Sequence, residues 1–210
     1  MRGPAAAALL ALSISLGPDA LAVDGYRLYE STVASVNGEV LFLSDIVREG
    51  CFHRCAAMPG SEPEILSAQE CRDRLISDTL VLQEQRKLQL GQVDNMVLAA
   101  YGAESLERMG NCTSSCKEGI TAERTREWVE RKLLIREFFQ RRVAGFVEVK
   151  EEDVQREFRL RAARTDNAAE LSEEQIREEL QDAKVAQEIR NWYTRAASKS
   201  RVVLSPLEAK

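Results

Sequence analysis

The alternation of apolar and polar residues predicts a β-hairpin early in the chain. Residues 32–36, TVASV, alternate with a period of two, and residues 40–43, VLFL, form a second short apolar run. Asn37-Gly38 lies between them and tolerates the positive φ angles of a type I′ turn. Ser44 is a suitable N-cap, and Asp45 suits the first turn of a helix that follows the hairpin.

The hairpin needs a further strand, because a two-stranded hairpin alone is only marginally stable in water. The only other β-rich run is residues 201–204, RVVL, at the opposite end of the chain. We therefore expect the C-terminus to return and complete a small sheet with the hairpin.

The chain between these strands has apolar residues at helical spacing. The predicted helices cover residues 68–90, 94–110, 121–145, 151–164 and 173–197. The second of them is weak, with an interruption expected near Tyr101-Gly102. The predicted fold class is mainly α, a multi-helix domain with a small antiparallel sheet formed by the N-terminal hairpin and a C-terminal strand.

The charge pattern narrows the range of functions. The formal net charge is −5, and 30% of the residues are charged, with both signs interleaved along the helices. No basic stripe suggests nucleic acid as a partner. One histidine offers little to triad catalysis, and no glycine-rich phosphate loop is present, so we expect neither catalytic residues nor a cofactor.

The N-terminus has the pattern of a signal peptide. Residues 5–16 are apolar, about as long as a signal-peptide core and too short to span a bilayer. Ala20-Leu21-Ala22 then matches the small-x-small cleavage pattern. We predict a signal peptide over residues 1–22 and a mature chain over residues 23–210, located in the periplasm and without stable membrane insertion.

Five cysteines follow the predicted cleavage site, and an oxidising compartment favours disulfides between them. Two pairs have the spacing C-x3-C, namely Cys51 with Cys55 and Cys112 with Cys116. Two antiparallel helical segments would join Cys51 to Cys116 and Cys55 to Cys112, although other pairings are open. Cys71 would then be unpaired, either as a buried thiol or as a reactive one.

A metal site is the weaker interpretation of these cysteines. His53 lies between Cys51 and Cys55, but the spacing C-x-H-x-C has no matching second half. We therefore expect no metal.

Several segments, taken in order, resemble the N-terminal chaperone region of the SurA-type periplasmic peptidyl-prolyl isomerase and chaperone family. They are VASVNGEVLFLSDI, CRDRLISDTLVLQEQRKLQL, RTREWVERKLLIREFFQRRV with VEVKEEDVQREF, and ELSEEQIREELQDAKVAQEIRNWYTRAASKSRVVL. In that family a parvulin-type isomerase domain usually precedes the last segment, but here only residues 159–170 lie there, which is too short for a domain. The resemblance implies one SurA N-terminal-like domain over residues 23–210, with residues 171–205 packing back on it and no isomerase activity.

The resemblance also implies ATP-independent binding of unfolded client proteins, outer-membrane or secreted proteins among them. Large apolar side chains at helical spacing either fill the core or line a groove for such clients, because flexible methionine and broad aromatic rings suit promiscuous binding. The candidate client-binding residues are Met96, Met109, Phe138, Phe139 and Trp192. Two alternatives are a dedicated adaptor subunit of an envelope complex and a thiol-disulfide protein.

Overall fold

The computed structural model describes residues 30–90, 92–164 and 172–207. Within these ranges it contains six α-helices and one three-stranded antiparallel sheet, which confirms the predicted mainly α fold class. The predicted signal peptide, residues 1–22, and its cleavage site lie outside the described residues. None of the helices in the described ranges combines the length and the apolar character that crossing a membrane requires.

The sheet joins the two ends of the described chain. Its strands are β1 (Thr32–Val36), β2 (Glu39–Phe42) and β3 (Val202–Leu204), in the order β2-β1-β3. The predicted turn is present, with φ angles of 53° at Asn37 and 92° at Gly38. The Asn37 side chain also fixes the third strand, since its Oδ1 accepts a hydrogen bond of 2.8 Å from the backbone N–H of Arg201.

In the described part of the chain, six α-helices lie between β2 and β3. Their bounds are α1 (Leu43–Cys51), α2 (Ala68–Leu88), α3 (Asn95–Asn111), α4 (Ala122–Arg142), α5 (Glu151–Ala162) and α6 (Glu173–Ser198). A π-helical turn, Phe52–Ala56, continues α1, and short 3-10 turns, Ser115–Lys117 and Ala144–Phe146, follow α3 and α4.

Three details of the helices differ from expectation. Ser44 does not cap α1, which begins one residue earlier, and Asp45 Oδ2 accepts a hydrogen bond of 2.8 Å from the backbone N–H of Phe42. Helix α3 continues through Tyr101-Gly102, because the packing of α3 on α4 outweighs the low helix propensity of glycine. Helix α2 ends at Leu88, with Gln89 in the left-handed conformation, two residues before the predicted end at residue 90.

Three adjoining apolar clusters form the core. The first lies between the sheet, α1 and α2, and includes Val33, Val36, Leu41, Ile46, Leu75 and Leu80. The second surrounds the cysteine pairs and includes Phe52, Met109, Trp128, Val129 and Leu133. The third joins α2, α4 and α6 and includes Val81, Phe138, Phe139 and Val143. Trp192 of α6 contacts the first and third clusters and links the C-terminal helix to both.

Candidate functional site

Four cysteines fasten the end of α1 to the segment that follows α3. Cys51 is bonded to Cys116, with Cα atoms 5.7 Å apart, and Cys55 is bonded to Cys112, with Cα atoms 5.2 Å apart. The π-helical turn after α1 keeps Cys51 and Cys55 on the side that faces residues 112–116. Each bond closes a loop of more than fifty residues, 65 and 57 in the two cases, so each restricts the unfolded chain strongly.

The fifth cysteine, Cys71, is buried in α2 and makes no disulfide. Burial raises the pKa of the Cys71 thiol, and the negative charge of Glu49 raises it further. Thiolate is the nucleophilic form of cysteine, so this thiol has neither the access nor the ionisation of a reactive one.

The cysteine cluster does not offer a metal site in the oxidised protein. The sulfur atoms of Cys51, Cys55 and Cys116 lie within 4.8 Å of one another, but disulfide bonds leave them no thiolate to donate. His53 does not join them, because its Nε2 lies 3.0 Å from Glu49 Oε1. Reduction of both bonds would have to precede metal binding here.

A buried carboxylate lies at the centre of the helical part. Glu49 of α1 is only 1% exposed, and its carboxylate faces α4. Oε1 accepts hydrogen bonds from Lys132 Nζ at 2.7 Å and from His53 Nε2 at 3.0 Å. Oε2 accepts from Trp128 Nε1 at 3.1 Å and from the guanidinium of Arg131.

A second carboxylate balances the charge of this cluster. Lys132 Nζ also donates to Asp78 Oδ2 at 2.7 Å, and Arg131 Nε lies 3.7 Å from the same oxygen. Two acidic side chains therefore meet two basic ones. Buried charges are tolerated when they are paired and hydrogen-bonded in this way.

These partners determine the ionisation of Glu49. Burial opposes the charged form, but the hydrogen bond from His53 and the positive charges on α4 outweigh it. The pKa of Glu49 is therefore held far below its ordinary value, and the side chain is ionised throughout the physiological pH range.

A cleft of about 620 Å³ opens beside this cluster, and we call it the central cleft. Its lining comes from the segment between His53 and Asp78, from Trp128 and Lys132 on α4, and from Tyr193 on α6. A cleft of this size falls within the usual range of ligand-binding sites. Burial, together with the nearby charge of Asp78, raises the pKa of Tyr193 well above its ordinary value, so its phenol stays protonated.

The five predicted client-binding residues do not form one surface. Met109, Phe138 and Phe139 are buried in the core, and Trp192 packs against both phenylalanine rings, with centroids 5.0 and 5.4 Å apart. Met96 is 83% exposed near the start of α3 and stands apart from them. The core interpretation therefore holds for the three buried residues, because helix packing removes their side chains from the surface.

An exposed apolar surface lies instead on the outer face of the sheet, and we call it the sheet face. Val40 and Val203 both pair with Ser35 of β1, so the three side chains lie in a row across the strands. Phe42 lies two residues beyond Val40 and points to the same side. Val40, Phe42 and Val203 are 41%, 39% and 48% exposed.

The sequence analysis did not identify the sheet face, although the sequence of β2 indicates it. Leu41 is buried, while Val40 and Phe42 on either side of it are not, which is the alternation of a strand with one covered face. A polar outer face is usual for such a strand in water. Strand β2 is therefore unusual, because it has apolar residues on its outer face as well as on its covered face.

Comparison of the chain with models of protein families finds no match, and comparison with curated proteins finds none either. The resemblance to the SurA-type family thus stays a prediction, and functional inference rests on the site geometry.

Proposed function

We propose that the protein is an ATP-independent chaperone that binds extended apolar segments of non-native polypeptides. The observation that carries this proposal is the sheet face, with Val40, Phe42 and Val203 partly exposed in water. A group of exposed apolar side chains on one face of a folded protein is a feature of interaction sites.

The open edges of the sheet favour an extended ligand. Among the described residues, β2 and β3 each pair with β1 on one side only. An edge strand presents unpaired backbone N–H and C=O groups, and an extended polypeptide can add to it as a further strand. Backbone pairing recognises no particular sequence, which suits a protein that binds many clients.

Two further apolar side chains are exposed on α1. This helix begins at Leu43, directly after β2, and Leu43 and Val47 are exposed one turn apart. Such a surface can contact several apolar side chains of a client at once. Each one contributes modestly, so the bound segment can also be released without chemical turnover.

The cellular location forms part of the same proposal. The signal-peptide pattern supports export, and the two disulfides are of the kind that persists in an oxidising compartment. In the periplasm the clients would be secreted and outer-membrane proteins before they fold. No isomerase activity is included.

The test is light scattering of a thermally unfolding model client, with and without the oxidised protein and in the absence of ATP. We expect suppression of aggregation at near-stoichiometric ratios. The variant Val40→Thr/Val203→Thr keeps β-branched side chains on both strands and should lose most of the suppression.

The control is Ile65→Thr, which also introduces a threonine hydroxyl in place of a β-branched apolar side chain, at a position that is 77% exposed and lies outside the sheet. It should suppress aggregation as well as the native protein does. Equal suppression by both variants would reject the sheet face as the client site. Absence of suppression, with one stoichiometric partner recovered from periplasmic extract, would favour the dedicated adaptor.

A further inference from the structure

The central cleft contains a deep hydrogen-bond acceptor that no described residue uses. Asp78 is only 8% exposed and lines the cleft. Its Oδ2 is bound by Lys132, whereas Oδ1 accepts no hydrogen bond from any described residue. Oδ1 also keeps some contact with solvent.

A second acceptor lies nearby on α6. Tyr193 lines the same cleft, and its hydroxyl makes no hydrogen bond within the described ranges. The charge of Asp78 influences the ionisation of this phenol, as expected for two groups that share one cavity. A ligand with several N–H donors can therefore bind a carboxylate oxygen and a phenol oxygen together.

The charge of the lining selects a positive ligand. Five carboxylates line the cleft, against the cations Arg74 and Lys132. Neither cation is available to an anion, because Arg74 pairs with Glu64 at 2.8 Å and Lys132 pairs with Glu49 and Asp78. An anionic ligand would meet the negative charge of Glu62, which pairs with no cation in the described part of the chain.

Apolar surface borders the two acceptors. Met58 is partly exposed in the lining, and Tyr193 and Trp128 also line the cleft. A flexible thioether and an aromatic ring suit an alkyl chain. The cleft thus combines acceptors for a cationic head with apolar contact for a stem.

We propose that the central cleft binds a guanidinium or ammonium group on an alkyl stem, with Asp78 Oδ1 and the Tyr193 hydroxyl as its acceptors. This is the chemistry of arginine and lysine side chains in an extended polypeptide and also of small free alkylamines. The inference does not rest on the chaperone proposal, since the cleft and the sheet face are lined by different residues and can be tested separately.

The test is isothermal titration calorimetry of the oxidised protein at low ionic strength. The probes are a blocked pentapeptide with one central arginine among alanines, the same peptide with citrulline in place of arginine, and agmatine. Citrulline keeps the shape of arginine but has no charge. We expect the arginine peptide to bind at least about tenfold more tightly than the citrulline peptide, because a charge-assisted hydrogen bond is lost.

Agmatine separates the two sources of the cation. Binding as tight as that of the arginine peptide assigns the cleft to free alkylamines, whereas much weaker binding assigns it to side chains within a polypeptide. Both results support the proposed chemistry.

Two variants locate the binding. Tyr193→Phe removes one hydroxyl and preserves the ring, so it should weaken binding of the arginine peptide about threefold to tenfold. Asp78→Asn should weaken it by about tenfold or more, and circular dichroism checks that this variant is folded. Glu107→Gln removes one exposed carboxylate on α3, outside the cleft, and should leave the affinity unchanged.

Three results would overturn the proposal: no heat of binding for the arginine peptide at millimolar concentration, equal affinity for the arginine and citrulline peptides, or native affinity in both Tyr193→Phe and folded Asp78→Asn.

Discussion

The indole Nε1–H of Trp128 donates a hydrogen bond of 3.1 Å to Oε2 of Glu49, at a position where both side chains are buried. The donor belongs to α4 and the acceptor to α1, which are separated by 79 residues in the sequence. This contact connects the helix that leads out of the sheet to the central helix of the domain.

Removal of the Glu49 charge should destabilise the protein strongly. Glu49→Gln keeps the size of the side chain but leaves Asp78 as the one acidic partner of Arg131 and Lys132 among the described residues. Breaking a buried ion pair on one side costs about 3–5 kcal/mol of unfolding free energy. Urea denaturation followed by tryptophan fluorescence measures the change.

An exposed pair provides the control for Glu49→Gln. Glu137→Gln removes a carboxylate that pairs with Arg141 on the surface of α4. Its unfolding free energy should stay within about 0.5 kcal/mol of the native value. Equal losses of unfolding free energy in the two variants would contradict the conclusion that the buried Glu49 charge contributes more than an exposed one.

The same carboxylate should give the protein a pH dependence. The folded protein lowers the pKa of Glu49 from an ordinary value of 4.5, so the folded state binds fewer protons than the unfolded state below that pH. The stability that Glu49 contributes is therefore fully present above pH 4.5 and declines as the pH falls towards the lowered pKa.

A comparison of native protein with Glu49→Gln isolates this dependence. The difference between their unfolding free energies should shrink by about 1.4 kcal/mol for each pH unit below 4.5. Between pH 6 and 8 the ionisation of Glu49 should not change this difference in unfolding free energy. A difference that stays constant down to pH 3 would show that Glu49 has an ordinary pKa in the folded state.

The two disulfides should contribute much of the stability of the α1–α3 connection. Reduction with dithiothreitol should lower the unfolding free energy by several kcal/mol, since a loop of this length contributes about 4 kcal/mol per bond in the chain-entropy model. A variant with alanine at positions 51, 55, 112 and 116 should be less stable and should not respond to dithiothreitol.

Peptide mapping of the oxidised protein checks the connectivity directly. Mass spectrometry should recover Cys51 linked to Cys116 and Cys55 linked to Cys112, with Cys71 free. Recovery of Cys71 in a disulfide would contradict the structure.

The close approach of α1 to α2 can be tested at Gly50. A Cβ atom at this position would lie 3.3 Å from the Cys71 sulfur. Alanine at position 50 would stabilise the helix by about 1 kcal/mol relative to glycine, but the close contact with the Cys71 sulfur would reduce this gain. We expect Gly50→Ala to be more favourable by about 1 kcal/mol in a Cys71→Ala background than in the native protein, as measured by a double-mutant cycle. Additive effects would show that the two positions do not touch.

Local signals in the sequence were sufficient to predict the sheet. Asn37-Gly38 adopts the positive φ angles that its turn requires. Because the sequence contains few β-rich runs, residues 201–204 were the one available partner for the hairpin. Thr121 likewise caps α4 through a contact only three residues away, from Arg124 N–H to its hydroxyl. Features that depend on nearby residues can be predicted in this way.

The candidate site could not be predicted to the same extent. A glutamate in an amphipathic helix is normally solvated, and three of the four donors to Glu49 come from α4, far away in the sequence. Similarly, the spacing of Met109, Phe138 and Phe139 fits both a core and a groove, and only helix packing decides between them. Asp78 gains its place in the cleft from the arrangement of α2, α4 and α6.

The most direct measurement for the chaperone proposal is photo-crosslinking from the sheet face. The photo-reactive residue p-benzoylphenylalanine replaces Val203 in one variant and Ile65 in another, and each is irradiated with an unfolded client in the absence of ATP. The account predicts strong client adducts from position 203 and few from position 65, although the latter side chain is the more exposed of the two. Equal adducts from both positions, or none from position 203, would contradict client binding at the sheet face.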